Sequence, residues 1–93
     1  MFVYMMTNKP YGTLYIGVTN DFIRRVWEHR NHLSPGFTDR YNLEQLVFME
    51  RHDAPIAAIQ REKNLKHWRR DWKVALIETH NPEWRDLWND ITR

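Results

Sequence analysis

The stretch Leu14–Arg30, "LYIGVTNDFIRRVWEHR", changes its period halfway along. Leu14 to Thr19 is a short run of β-branched and aromatic residues, the composition of a strand. From Phe22 onward the apolar residues Phe22, Ile23, Val26 and Trp27 recur at helical spacing, and Leu33 extends the pattern. Between them stand Thr19, Asn20 and Asp21, whose short polar side chains cap helix starts. A strand therefore hands over to a helix within a few residues. On that helix Arg25 and His29 are four apart and share a stripe that borders the apolar face. A helix starting at the C-terminal end of the strand carries this stripe close to Tyr15.

Upstream, Phe2–Thr7 ("FVYMMT") reads as a first strand, joined to the second, Thr13–Thr19, through the turn residues Asn8–Gly12 ("NKPYG"). The two form a β-hairpin with a rather long loop. Downstream, Ser34–Gly36 ("SPG") ends the first helix, "FTDRYN" is a polar loop, and Leu43–Arg51 reads as a third strand. Asp53 is placed to cap a second helix that has Pro55 in its first turn and runs to about His67. The pattern restarts near Arg70–Asp71 as a third helix, Trp72 to about Thr79. Asn81–Pro82 breaks it, and "EWRDLWNDI" reads as a short final helix with Trp84 and Trp88 one turn apart. The order ββαβαα plus a C-terminal helix predicts an α+β fold, a small, mainly antiparallel three-stranded sheet flanked by helices.

The size of the chain, 93 residues, suits one domain spanning residues 1–93. With no cysteine it has neither disulfide staples nor a thiolate metal site. No apolar run approaches the roughly 20 residues of a membrane span. The N-terminus has no secretory pattern, so a cytoplasmic protein with no membrane role is expected. A hydrophobic fraction of 42% and five Trp favour a folded chain over a disordered one. The net charge is a modest +2. The cations cluster, however: Arg24, Arg25 and Arg30 on one segment, and Arg61, Lys63, Lys66, Arg69, Arg70 and Lys73 on another. These read either as solvated helix faces or as contacts for a polyanion.

Some residues sit oddly for a core. Ala58, Ile59 and Leu65 mark the apolar face of the second helix, and Glu62 lies in the middle of it. An unpaired carboxylate there would cost several kcal/mol on burial, of the order of several per ion. Glu62 either pairs with Lys66 at i,i+4 or serves as a hard oxygen ligand for a divalent cation. Arg25 and His29 either cover the edge of the core or form a phosphate-binding cation with a titratable neighbour. Tyr4 and Tyr15, on the two hairpin strands, read as a cross-strand aromatic pair or as part of a site. Gly17 inside a strand marks a bulge or a close approach of backbone. The Trp residues at helical spacings read mainly as packing, with base stacking as the other reading.

Two tyrosines, an arginine, a histidine and a glutamate thus converge on one edge of a tiny sheet. At these residues the chain resembles a GIY-YIG nuclease domain. The first of the two name-giving motifs stands here as "FVY" (Phe2–Tyr4) and the second is intact as "YIG" (Tyr15–Gly17). The arginine that follows the second motif falls on Arg25, the histidine one turn later on His29, and the metal-binding glutamate on Glu62 in "REKNLK". The resemblance is greatest to the small stand-alone members, which share "GFTDRY", "REK.LK" and "NP.W"; a related domain forms the N-terminal nuclease of an excision-repair subunit. Phe2 and Val3 replace the usual Gly and Ile. The position where larger members carry an Asn falls on Val74, with Lys73 beside it.

The resemblance implies a metal-dependent endonuclease that hydrolyses nucleic-acid phosphodiesters, DNA more readily than RNA, in repair or recombination. It implies one Mg²⁺ or Mn²⁺ held by Glu62, mostly through water. Arg25 clamps a phosphate oxygen, Tyr4 acts as general base with His29 relieving it of its proton, and Tyr15 orients water or phosphate. Gly17 leaves room for the nucleic-acid backbone, and Arg24, Thr38, Arg40, Tyr41, Lys66 and Lys73 are the candidate substrate contacts. Thr38, Arg40 and Tyr41 have loop anchoring as an alternative. The competing functional readings are a non-catalytic nucleic-acid-binding module and a nuclease subunit that needs a protein partner or a second copy of itself.

Overall fold

A computed structural model describes residues 1–92. Three strands, β1 (Phe2–Thr7), β2 (Leu14–Thr19) and β3 (Gln45–Arg51), form one antiparallel sheet in the order β2-β1-β3. The helices are α1 (Phe22–Arg30), α2 (Phe37–Arg40), α3 (Pro55–His67), α4 (Arg70–His80) and α5 (Trp88–Ile91). The predicted α+β order therefore holds, with one helix more than the sequence pattern announced.

Burial of β1 on both faces explains why it reads as a continuous apolar run and not as an alternation. Val3 and Met5 point to one side, where they meet Ile16, Val47, Phe48, Ala58, Leu65, Ile77 and Trp84. Tyr4 and Met6 point to the other, against Phe22, Val26, Leu43 and Leu46. Helices α3 and α4 thus cover one face, and α1 with the C-terminal segment covers the other. The β1–β3 ladder shifts register between Met5 and Met6, pairing Met5 with Phe48 but Met6 with Leu46. That bulge accounts for the imperfect alternation of the third strand.

Several boundaries differ from the sequence reading, each for a local reason. The hairpin turn places Tyr11, not Gly12, in the left-handed region (φ 59°). Gly12 is needed for space instead, because a Cβ there would lie 2.1 Å from Asn8 Oδ1. Helix α1 stops at Arg30, ahead of "SPG", because His32 turns left-handed (φ 57°). The polar loop "FTDRYN" contains the one-turn helix α2. Strand β3 begins at Gln45, two residues later than expected. Asp53 does not cap α3; Ala54 holds the cap position, with no side-chain hydrogen bond. Helix α4 begins earlier, at Arg70. The expected final helix is confined to Trp88–Ile91.

Trp84 is not helical at all. It adopts φ 55° and is buried in the core. Asn81 sets that turn: its side-chain amide donates to the Val47 and Arg85 carbonyls (3.2 and 2.8 Å), and its Oδ1 accepts from Arg85 N–H (3.0 Å). A polar residue that satisfies three backbone groups overrides the helical spacing of two tryptophans.

Candidate active site

The site forms at the β2 edge of the sheet. In the β1–β2 ladder Tyr4 is opposite Gly17, and Tyr15 is opposite Met6. The two tyrosines are therefore diagonal neighbours on one face, with ring centroids 6.3 Å apart. The Tyr4 ring occupies the space a side chain would take at Gly17: a Cβ there would lie 2.5 Å from both Tyr4 Cζ and Tyr4 Oη. Gly17, expected to leave room for the nucleic-acid backbone, leaves room for Tyr4.

Helix α1 buries Phe22, Val26 and His29, while Ile23 and Trp27 of the expected apolar face stay largely exposed. His29 is 1% exposed and fully committed. Its Nε2 is 2.9 Å from Tyr4 Oη, and its Nδ1 is 2.9 Å from Thr38 Oγ1. Its ring also packs on Tyr4 and Tyr15, with centroids at 5.7 and 5.4 Å. Three elements that are distant in sequence (β1, α1 and α2) thus meet in one hydrogen-bonded chain, Tyr4–His29–Thr38. Thr38 had been expected to touch substrate; it is buried and spends its hydroxyl on His29.

Electrostatics follow from that burial. Desolvation lowers the His29 pKa to about 4, and the nearby Arg25 charge pushes the same way, so the imidazole is neutral at pH 7. Burial raises the Tyr4 phenol above its ordinary range, and Tyr15 adds to the rise. Arg25 opposes it, and Glu62 adds a smaller upward push. Arg25 and Glu62 are therefore both within electrostatic reach of Tyr4. Arg25 is half-buried and is held by Glu28 at 3.3 Å.

Glu62 sits on α3 with its side chain 16% exposed, 3.4 Å from Lys66 Nζ. Among the described residues no three His, Asp or Glu side chains converge as a metal-binding cluster. Glu62 thus offers a hard oxygen donor outside any such cluster. One carboxylate suits a largely hydrated Mg²⁺ or Mn²⁺ that completes its shell with water and phosphate oxygens, and is too little for an all-protein cage.

A cleft of about 320 Å³ opens beside these residues, lined by Leu14, Tyr15, Ile16, Phe37, Lys66 and Lys73. Two of the expected substrate contacts, Lys66 and Lys73, therefore line the same cleft as Tyr15. Lys73 Nζ reaches the Lys66 carbonyl at 3.4 Å, and neighbouring Val74 packs against the core. Arg24 is exposed and lies 3.7 Å from Glu28, on the outer side of α1. Arg40 and Tyr41 are exposed on the α2 segment. Phe37 was not singled out from the sequence. Its signal was the i,i+4 spacing to Tyr41 inside "GFTDRY", which reads as helical only once a helix is suspected there.

This arrangement defines a polar, hydrogen-bonded centre at the edge of a three-stranded sheet, facing a cationic cleft. The chain belongs to the GIY-YIG catalytic domain family, a family of nucleases, which it matches over residues 1–75, β1 through the first half of α4. A UPF0213 protein from Staphylococcus saprophyticus is 32% identical over 76 residues, covering 82% of this chain and 92% of the relative. One from Haloquadratum walsbyi is 38% identical over 66 residues, covering 71% and 74%. One from Staphylococcus epidermidis is 30% identical over 77 residues, covering 83% and 93%. No solved structure matches the chain.

Proposed function

We propose that this protein is an endonuclease that uses one divalent cation to hydrolyse phosphodiester bonds, with DNA as its substrate and repair or recombination as its setting. The observation that carries the reading is the convergence of Tyr4, Tyr15, Arg25, His29 and Glu62 at the β2 edge, in a chain of the GIY-YIG family. A binding module would need the cleft lysines and could use the buried tyrosine–histidine–threonine chain only as scaffolding.

Each residue has a task that its surroundings suit. Arg25 grips a non-bridging phosphate oxygen as charge grows there. Tyr15 lines the cleft and packs on both Tyr4 and His29, so it orients the attacking water or the phosphate. The Tyr4 phenol is the general base. Its raised pKa rules out a standing phenolate at neutral pH, so it works as a relay. Neutral His29 accepts the phenolic proton at Nε2 while the phenolic oxygen takes one from water, and the Nδ1–H donates to Thr38. Glu62 would hold Mg²⁺ or Mn²⁺, which when bound supplies Lewis-acid stabilisation of the scissile phosphate and the leaving oxygen. Lys66 and Lys73 hold flanking phosphates, and the exposed Arg24, Arg40 and Tyr41 are further candidate contacts for the strand.

The test is cleavage of labelled single-stranded, duplex and branched DNA, and of RNA, by the purified protein and its Glu62→Ala variant, in Mg²⁺, Mn²⁺ or EDTA. Metal-dependent cutting that the variant loses is expected. Salt-sensitive binding without cutting under any of these conditions would replace the nuclease by a binding module or by a subunit awaiting its partner.

A further inference from the structure

The cleft that carries Lys66 and Lys73 is also lined by the aromatic rings of Tyr15 and Phe37. Phe37 and Tyr41 pack with ring centroids 4.8 Å apart at a tilt of 47°, and Phe37 in turn lies 6.3 Å from Tyr15, 29° from parallel. Tyr15 continues the array to His29. Phe37 and Tyr41 are 46% and 45% exposed. Two large aromatic side chains left half in water give up burial that the fold could have used. The segment is nonetheless tied down: Thr38 is bonded to His29, and Leu43 N–H donates to the Thr38 carbonyl at 2.9 Å. The α2 segment therefore turns Thr38 inward, onto His29, and leaves two aromatic rings exposed: Phe37 in the cleft that also carries Lys66 and Lys73, and Tyr41 against Phe37.

Resting on the nuclease reading, we propose that Phe37 and Tyr41 form a stacking platform for an unpaired nucleobase beside the scissile phosphate. The substrate class is then a strand with at least one unstacked base at the cut, such as a flap, gap or single-stranded tract. The chemistry is complementary on both sides. A base has a π-face for the rings, and the flanking phosphates meet the two lysines. An intact duplex hides its base faces and offers the platform nothing except at its ends. The rings also measure distance, because Thr38 links their helix to His29, so a stacked base fixes where the backbone passes the tyrosines.

Binding measured in EDTA separates this subsite from the chemistry. Fluorescein-labelled single-stranded DNA, a blunt duplex and a duplex with a single-stranded overhang would be titrated with the parent and with Phe37→Leu, Phe37→Trp and Tyr41→Leu. Phe37→Leu keeps an apolar group against Tyr15 but removes the π-face. It should weaken binding of both unpaired-base substrates by about tenfold and of the blunt duplex by less than about twofold, while Phe37→Trp binds like the parent. Replacing the bases of the strand by abasic residues should cost the parent a similar factor and cost Phe37→Leu little more. Equal losses on duplex and single strand, or no loss, overturn the platform. Should Phe37→Leu fail to fold, Tyr41→Leu carries the same comparison. With Mg²⁺ added, cutting by the parent without any Phe37 or Tyr41 dependence of binding refutes the platform alone. Platform-dependent binding without cutting refutes the nuclease alone.

Discussion

Gly17→Ala asks what the glycine of the "YIG" motif is for. In a strand, with no positive φ at this position, adding a methyl would ordinarily stabilise by about 0.5–1 kcal/mol through backbone entropy. Here the added Cβ would meet Tyr4 Cζ and Oη at 2.5 Å and Cε1 at 2.8 Å. Carbon atoms rest at roughly 3.5–4.0 Å, so the ring must retreat by about 1 Å. Tyr4 has nowhere to go: it is 1% exposed and bonded to His29 at 2.9 Å. Overpacking costs about 1–3 kcal/mol, and losing the buried phenol–imidazole bond adds about 1 kcal/mol. The net expectation is a destabilisation of about 2–3 kcal/mol, read as a lowered urea midpoint with unchanged slope. In a Tyr4→Ala background the same substitution should cost nearly nothing, a coupling of at least about 1.5 kcal/mol. A parent-like urea midpoint in Gly17→Ala, with only nucleic-acid affinity reduced, would refute this reasoning. It would return the glycine to the role the sequence suggested.

Arg25→Ala should lower cleavage by about 10²-fold or more while shifting stability by about 1 kcal/mol, since the Arg25–Glu28 pair is partly exposed on both sides; single-turnover rates and thermal melts check both. His29 has its pKa held at about 4, against 6.5 ordinarily. The unfolded chain therefore takes up a proton below about 6.5 that the folded protein resists, so this group's stability is full above that pH and falls as pH drops toward 4. Between pH 7 and pH 5 the loss is at most roughly 2 kcal/mol; it should be absent from His29→Gln and so appear as the difference between the pH dependences of parent and variant in urea titrations at the two pH values. Asn81→Ala strands three backbone hydrogen bonds at the Trp84 turn. It should cost about 3 kcal/mol in chemical denaturation yet leave the cleavage rate of the folded protein unchanged.

How much of this was legible in the sequence depends on the range of the interaction. The change of period in "LYIGVTNDFIRRVWEHR" located β2 and α1 because both are written in local spacing. The placement of Tyr4 beside Tyr15 followed from the hairpin, which is local too. What the spacing did not contain was tertiary. His29 looked like a boundary residue, and only its two partners on β1 and α2 explain its burial. Thr38 and Gly17 were singled out as substrate contacts, and what spacing did not show is that each also serves another side chain, His29 and Tyr4 respectively. Glu62 was suspected because a carboxylate interrupted an apolar stripe. It pairs with Lys66, the first of its two readings, and lies within electrostatic reach of Tyr4. The final helix exists, but its start was placed too early because Trp84 and Trp88 are helically spaced, whereas Asn81 imposes a turn that no periodicity reports.

The central claim is that the Tyr4 phenol moves a proton in the reaction, and Tyr4→Phe tests it most directly. The substitution removes one oxygen and keeps the ring over Gly17, so the fold should survive with a loss of about 1 kcal/mol from the missing bond to His29. Single-turnover cleavage of labelled DNA at saturating protein and Mg²⁺ should fall by about 10²-fold or more, with affinity for the DNA in EDTA unchanged. A folded Tyr4→Phe protein that cuts at the parent rate would contradict the account, leaving the buried tyrosine–histidine–threonine chain as scaffolding.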